Sequence, residues 1–391
     1  LIREHFGVDT DQTTVDHEAR EVRLHVPDGH PDIIQQIEHG AQSLLSGYRA
    51  AGHTFLGIIA GSRRQYAWLG DASLMTDNHA YDPSLGETEM INGRTGTNDD
   101  RWAFTTRSTS NEYHALGALA SAARVLRGHH GALADECLET AERAWEYEQT
   151  HEPTEWRHTY VSGDRHQREY FATAELLLTT GRERYRDRLL AMDDVLQERV
   201  GTVGPIASRV LAAVNDSGYE ERLRAGLLRE RPQLDDDLAS NPYGIPFHPE
   251  IWGVGWQLQS FAVGQYFLVK RFPDLYDREH VLRVLNWVLG VHAGSGISLV
   301  SGVGARSATV AFGVNRHEWS YIPGGMVSGT NLVRPDRPEY KAETPFLWQQ
   351  SEYVMTGAAT YVFCVLAARD LLGEPVPVTA PCSRRDQVVG W

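Results

Sequence analysis

The sequence predicts an all-α chain, an (α/α)6 toroid or barrel, on three observations. Long stretches carry apolar residues at helical spacing, many of the links between them are short, and strand-like alternation is scarce. Short links make successive amphipathic helices antiparallel neighbours, and helices that recur in pairs close naturally into a ring of pairs. About ten helices are legible at helical spacing, an incomplete set for such a ring, so a first pair is expected to be missing or to lie upstream of Leu1.

The elements follow in order. Residues 1–30 read as a polar, irregular N-terminal segment with one alternating stretch, Val22-Arg23-Leu24-His25-Val26. The first helix spans Pro31 to Tyr48, because Pro31 suits a first turn and Ile33, Ile34, Ile37, Leu44 and Leu45 share a face. Residues 52–108 lack that period and carry Gly, Asp, Asn and Thr clusters at Gly70-Asp71, Thr76-Asp77-Asn78-His79 and Gly93–Asp100. A loop of this length in a compact domain is usually functional. Ser110-Asn111-Glu112 then caps an Ala-rich helix to Leu126. Further helices are predicted over Ala132–Glu148, Gln167–Thr180 (stopped by Gly181), Glu183–Glu198, 204–214, 217–230, 254–271 and 277–289. A Gly- and Ser-rich loop fills 290–350, and a last helix runs from Ser351 to Leu372, stopped by Gly373. The scheme is an N-terminal segment (1–30), an (α/α) barrel domain (31–373) and a tail (374–391).

Composition narrows the function. The chain has 391 residues, with 37 Lys plus Arg against 52 Asp plus Glu, a formal charge of −15. That balance argues against nucleic acid as a partner. No apolar run approaches the roughly 18 to 20 residues of a membrane span, so no membrane partner is expected. Cys137, Cys364 and Cys382 are far apart with no CxxC, which disfavours a zinc knuckle or a disulfide framework. The first two are expected as buried thiols in helices, the third as exposed in the Pro-rich tail. The chain opens at Leu1 in mid-pattern, with no visible signal peptide, and is expected to be a piece of a longer product.

Five stretches carry a family likeness. They are Trp252-Gly253 with the helix to Lys270, Leu285-Asn286-Trp287-Val288-Leu289-Gly290, Ser298-Leu299-Val300-Ser301-Gly302-Val303-Gly304, the loop Pro323 to Asn331, and Ser351-Glu352-Tyr353-Val354. In order and spacing they resemble segments of glycoside hydrolase family 9, the family of many endoglucanases. These are its Trp-Gly-x-x helix, its Tyr-Ile-Leu-Gly helix end, its Ser-x-Val-Thr-Gly-x-Gly loop, its Pro-Gly-x-x-x-Gly-Gly-Pro-Asn loop and its Asn-Glu-Val-Ala helix start. Pro31–Leu45, Ser110–Leu126 and Tyr170–Tyr185 match family helices more weakly. The likeness runs from Pro31 to Leu372. The chain also departs from the family. The paired-aspartate motif Asp-Ala-Gly-Asp is absent, and Asp9, Asp11 and Asp16 stand in the wrong context. The His-His-Arg motif survives only as Asn315-Arg316-His317, and Tyr-x-Asp reads Tyr340-Lys341-Ala342.

The resemblance implies hydrolysis of β-linked glucan or a related β-glycan with inversion. An inverting glycosidase sets an acid and a base carboxyl about 6.5–9.5 Å apart, with the attacking water between them. A carboxyl that donates near neutral pH needs burial or a neighbouring carboxylate to keep its proton. The resemblance gives the general-acid role to Glu352, and the plainer reading of that residue is a helix cap. It puts the base aspartate upstream of Leu1. Trp252, Trp319 and Tyr321 are candidate platforms for sugar rings, with Trp256 a weaker one, and core packing is the alternative for each. Arg316 and His317 are candidate hydroxyl donors, or a solvent-exposed loop pair. Asp71, Asp77 and His79 match a family loop and either shape the cleft, hold a structural calcium or form turns. No cofactor is required and no metal ligand is assigned. Arg107 and Asn111 reach the cleft or cap the Ala-rich helix, and 217–231 reads as a solvated helix face. The implied partner is an oligo- or polysaccharide, and the implied location is secreted or periplasmic. Three other readings stay open: an exo-acting β-glucosidase or β-glucosaminidase of the same fold, a polysaccharide lyase, and a catalytically dead glycan-binding homologue.

Overall fold

Helices dominate the computed structural model, which describes residues 1–16, 21–60, 70–76, 78–156, 163–248, 252–292, 296–309, 312, 321–333, 337–339, 348–374 and 387–390. The chain divides into two compact units. A first unit holds Asp11–Val195 with Val388–Trp391, and a second holds Leu1–Thr10 with Leu196–Gln387. The N-terminal segment, expected to be irregular, forms a short helix α1 (Ile2–Phe6) and a hairpin of β1 (Thr13–Asp16) and β2 (Glu21–Leu24), with Thr13 opposite Leu24. Elements of four or five residues are too short to show a period in the sequence. Within the second unit Phe6 meets Phe363 at 5.1 Å and Tyr266 at 5.5 Å between ring centroids.

In the first unit α2 spans Asp32–Ala51 and stops at Gly52, whose positive φ of 76° suits a residue without a side chain. The expected loop after it contains short strands. β3 (Gly57–Ala60), β8 (Arg101–Phe104) and β4 (Ala72–Met75) form one antiparallel sheet in that order. β5 (Ala80–Tyr81), β7 (Arg94–Thr95) and β6 (Met90–Ile91) form a mixed sheet, β5 parallel and β6 antiparallel to β7. Then come α3 (Thr109–Leu126), α4 (Gly131–Thr150) and α5 (Arg165–Thr180), the last capped by Asp164, which accepts from the backbone N–H of His166 and Gln167. α3 packs on both α4 and α5. Its Ala and Gly positions allow this close approach: a Cβ on Gly117 would fall 2.5 Å from the Phe171 ring. The helix expected over Glu183–Glu198 is broken at Met192 into α6 (Glu183–Ala191) and α7 (Asp193–Glu198), where Asp193 and Asp194 start a new first turn.

The second unit contains α8 (Val200–Val214), α9 (Ser217–Ala239), α10 (Val254–Arg271), α11 (Glu279–Val288), the hairpin β9 (Asn331–Val333) and β10 (Arg337–Glu339), the single turn α12 (Trp348–Ser351), and α13 (Met355–Leu372). α10 packs against α8, α11 and α13 around Val254, Leu258, Ala262, Val284, Trp287, Phe363 and Cys364. The expectation that no apolar run reaches membrane length needs correction. α13 has 18 residues at a mean hydropathy of 1.3, enough by length and composition alone. Its Phe363, Cys364, Leu366, Ala367 and Ala368 are buried against neighbouring helices, and 28% of the stretch is buried in all. Cys137 and Cys364 are buried as expected, and burial pushes their thiols up to about 11 and about 12. Cys382 lies outside the described residues.

Candidate active site

Glu352 does not open the last helix. α12 ends at Ser351, α13 begins at Met355, and Glu352 sits between them in an extended segment. It forms bridge pairs with Phe312, as Tyr353 does with Val327. Its N–H donates to the Trp348 carbonyl at 3.2 Å, and its carbonyl accepts the Ser328 N–H at 3.1 Å. Its main chain is therefore held by neighbouring loops, and the helix-cap reading does not describe it.

Those loops are the ones carrying the family likeness, and backbone hydrogen bonds join them. Leu299 N–H donates to Val288 at the end of α11, and Val327 N–H donates to Leu299. Ser301 N–H donates to Gly325, Gly324 N–H to Ser301, and Gly255 N–H, in the first turn of α10, to Ser328. Gly329 N–H closes the set on Gln350 at 3.1 Å. Gly329 holds a φ of 95°, and a Cβ there would fall 2.7 Å from Leu299 Cδ1, so both backbone conformation and space call for glycine.

Side chains complete the arrangement. The Trp252 indole N–H donates to Glu352 Oε2 at 2.9 Å. Trp252 is 38% exposed and Trp348 41%, with ring centroids 6.5 Å apart, while Trp256 meets Trp252 edge-on at 4.8 Å. A Cβ on Gly357 would fall 2.5 Å from Trp256 Nε1, so the first turn of α13 holds that ring closely. Tyr321 is exposed, and its hydroxyl lies where a Gly302 Cβ would come within 2.7 Å. Tyr353 contacts Ser301 at 2.5 Å, and burial pushes its phenol above the ordinary value. The arrangement offers a half-buried carboxyl beside exposed indole faces, the materials for protonating an oxygen next to a flat, partly apolar ring.

The structure brings Trp252 and Glu352 into direct contact and sets Tyr321 on the same loop network. Arg316, His317 and Trp319 lie outside the described residues, as do Asp77, Tyr340 and Lys341. Asp71 is exposed, its N–H donating to Thr106 Oγ1 at 2.8 Å. Among the described residues there is no group of three or more His, Cys, Asp or Glu side chains placed to hold a metal. Arg107 pairs with Glu148 at 2.5 Å and covers the Tyr147 ring at 4.0 Å. Asn111 donates to the Phe55 carbonyl at 3.4 Å. Asp9 pairs with Arg3, and Asp11 accepts the N–H groups of Asp28 and Gly29, so both are engaged in local structure.

Sequence reasoning missed two features. One is the donation from Trp252 to Glu352 across 100 positions, for which the sequence carries no signal. The other is Glu112, fully buried in the first unit. Its position was readable, since it shares a helical face with Leu116, Leu119 and Ala123. Thr54 N–H donates to its Oε1 at 3.0 Å, and the Tyr48 phenol faces it without a well-formed hydrogen bond. Burial, outweighing the nearby Arg107, raises its carboxyl to about 7.

Comparison with known proteins gives the fold and the family. Solved structures similar to the chain include a thermostable endoglucanase from Alicyclobacillus acidocaldarius, at 20% identity and a TM-score of 0.54, covering 69% of this chain and 57% of that one. A metagenome-derived glycoside hydrolase family 9 endoglucanase matches at 21% identity and a TM-score of 0.62, covering 88% and 64%. The endoglucanase of the termite Nasutitermes takasagoensis matches at 16% identity and a TM-score of 0.53, covering 87% and 84%. The chain thus spans 57% and 64% of the length of the first two. These likenesses show a shared fold, in agreement with the expected all-α (α/α)6 class. No curated protein matches the chain. The sequence model of Glycosyl hydrolase family 9 matches residues 60–365, a span that takes in α10, α11, both loops and Glu352, and on that match the chain belongs to glycosyl hydrolase family 9.

Proposed function

We propose that the protein hydrolyses β-linked glucan or a related β-glycan with inversion, using Glu352 as the general acid. The observation that supports this most is the convergence of five family-like segments on one half-buried carboxyl beside the exposed rings of Trp252 and Trp348. The two named endoglucanases of bacterial and termite origin, and the metagenomic one, favour a polysaccharide over a small glycoside. In the reaction, the Glu352 carboxyl gives its proton to the glycosidic oxygen as the bond from C1 to that oxygen breaks. Water adds to C1 from the opposite face and loses its proton to a second carboxylate. Glu352 is left as a carboxylate and takes a proton from solvent before the next turnover. The resemblance expects the second carboxylate to be an aspartate preceding Leu1. Trp252 and Tyr321 serve as platforms for sugar rings, with Arg316, His317 and Trp319 as further substrate contacts. A secreted or periplasmic location fits a polymeric substrate.

The test is hydrolysis of cello-oligosaccharides by the intact polypeptide, followed by ¹H NMR. The reading expects the α-anomer to appear first. A β-anomer as first product would contradict inversion, and absence of cleavage of any β-glucan would contradict the activity.

A further inference from the structure

We propose that Trp252 is a positioning residue for the acid: its indole N–H holds Glu352 through Oε2 and so leaves Oε1 as the oxygen that carries the proton to the glycosidic bond. The inference rests on the reading of Glu352 as the acid and adds a role for Trp252 besides that of a sugar platform.

A half-buried glutamate side chain has three rotatable bonds, and a fixed main chain does not orient its carboxyl. At 352 the main chain is fixed on both edges, by Trp348 and Ser328, so the remaining freedom lies in the side chain. The indole N–H is a donor with no acceptor capacity, so its contact with Oε2 defines one carboxyl orientation. Among the described residues no hydrogen bond reaches Oε1. The donor is itself held in place. Trp252 meets Trp256 edge-on at 86°, and Trp256 is packed against Gly357, where there is no room for a Cβ. A path of contacts therefore runs from the first turn of α13 through two indoles to the carboxyl. The indole N–H is accepted better by the carbonyl oxygen of a protonated carboxyl than by its hydroxyl oxygen, so the pairing favours the proton on Oε1.

An acid is needed only when the leaving group is poor, so leaving-group dependence separates positioning from sugar binding. Trp252→Phe keeps a flat ring and removes the N–H. On cellotetraose the variant is expected to lose about 10- to 100-fold in kcat, the scale of a misplaced catalytic group, with KM within about threefold. On a dinitrophenyl β-cellobioside, whose leaving group needs no proton, kcat is expected to stay within about threefold of the parent. Equal losses on both substrates, or a loss carried by KM alone, would overturn the proposal and leave Trp252 as a platform. Glu352→Gln, run in parallel, keeps the two readings apart. If it spares cellotetraose cleavage, the acid assignment fails. If it is selective for the poor leaving group and Trp252→Phe is not, the positioning role alone fails. A measurement independent of turnover completes the test. In protein labelled with ¹⁵N at tryptophan, the indole resonance lost in Trp252→Phe is expected to move upfield on Glu352→Ala, which removes the acceptor, and an unmoved resonance would overturn the hydrogen bond.

Discussion

The Ser301 hydroxyl and the Tyr353 phenol lie 2.5 Å apart, tying the 298–304 loop to the residue that follows Glu352. Ser301 Oγ also reaches the Ala308 carbonyl at 2.7 Å, and a carbonyl can only accept. The single serine proton is therefore engaged with Ala308, and Tyr353 is the donor in the shorter bond. Tyr353→Phe is expected to cost about 1 kcal/mol of stability and Ser301→Ala more, because it also releases the Ala308 carbonyl, and the double variant is expected to cost little more than Ser301→Ala alone. A double-mutant cycle by urea unfolding checks this, and full additivity would show that the two groups do not interact.

Gly357→Ala places a methyl group 2.5 Å from Trp256 Nε1. The ring has to move, and Trp252 packs on it. We expect a loss of about 1–3 kcal/mol in stability, the usual cost of overpacking, together with a change in near-ultraviolet circular dichroism and a fall in kcat on β-glucan. Unchanged tryptophan spectra would show that the ring is not held where it is described.

Glu112 makes the stability of the first unit depend on pH. Its carboxyl is raised from the ordinary 4.5 to about 7, with burial the largest cause. Between those values the folded protein keeps a proton that the unfolded chain has lost. The contribution is therefore fully present below pH 4.5 and is lost as pH rises through about 7. Its upper bound is roughly 3 kcal/mol. Glu112→Gln keeps an acceptor for the Thr54 N–H and cannot ionise. It is expected to flatten the pH profile and to raise stability at pH 8 relative to the parent, as measured by chemical denaturation at a series of pH values. An equal slope in both proteins would contradict the assignment.

Two arginines test how far burial governs ion-pair energies. Arg124 pairs with Glu175 at 2.8 Å with the carboxylate side chain 2% exposed, while Arg49 pairs with Glu136 at 2.6 Å in the open, 48% and 39% exposed. Arg124→Ala is expected to cost about 3–5 kcal/mol because it removes the cation from a buried carboxylate. Arg49→Ala is expected to cost under about 1 kcal/mol. Urea midpoints at equal slope give both values.

The long helices were legible because their caps and periods are local. Gly181 and Gly373 take the left-handed conformation at the ends where a glycine was read as a stop. The sheets of 52–108 were not legible, because strands such as Ala80–Tyr81 and Met90–Ile91 are two residues long and gain their meaning from pairing with Arg94–Thr95. The start of the last helix was read four residues early, at Ser351, because Tyr353 and Val354 continue its apolar pattern. Bridges to Phe312 and Val327 hold Glu352 and Tyr353 extended, and those partners are distant in sequence. For the site, the residue types around Glu352 were readable from motif order, but the hydrogen bond from Trp252 exists only once the loops have closed.

The most direct test of the account is the turnover of Glu352→Gln on cellotetraose beside that of the unaltered protein. The substitution preserves shape and an acceptor for Trp252 Nε1–H and removes the transferable proton. A fall in kcat of at least about 100-fold, with KM little changed and the thermal unfolding midpoint preserved, is the predicted result. Turnover within a few-fold of the unaltered protein would show that the proton for the leaving oxygen comes from elsewhere.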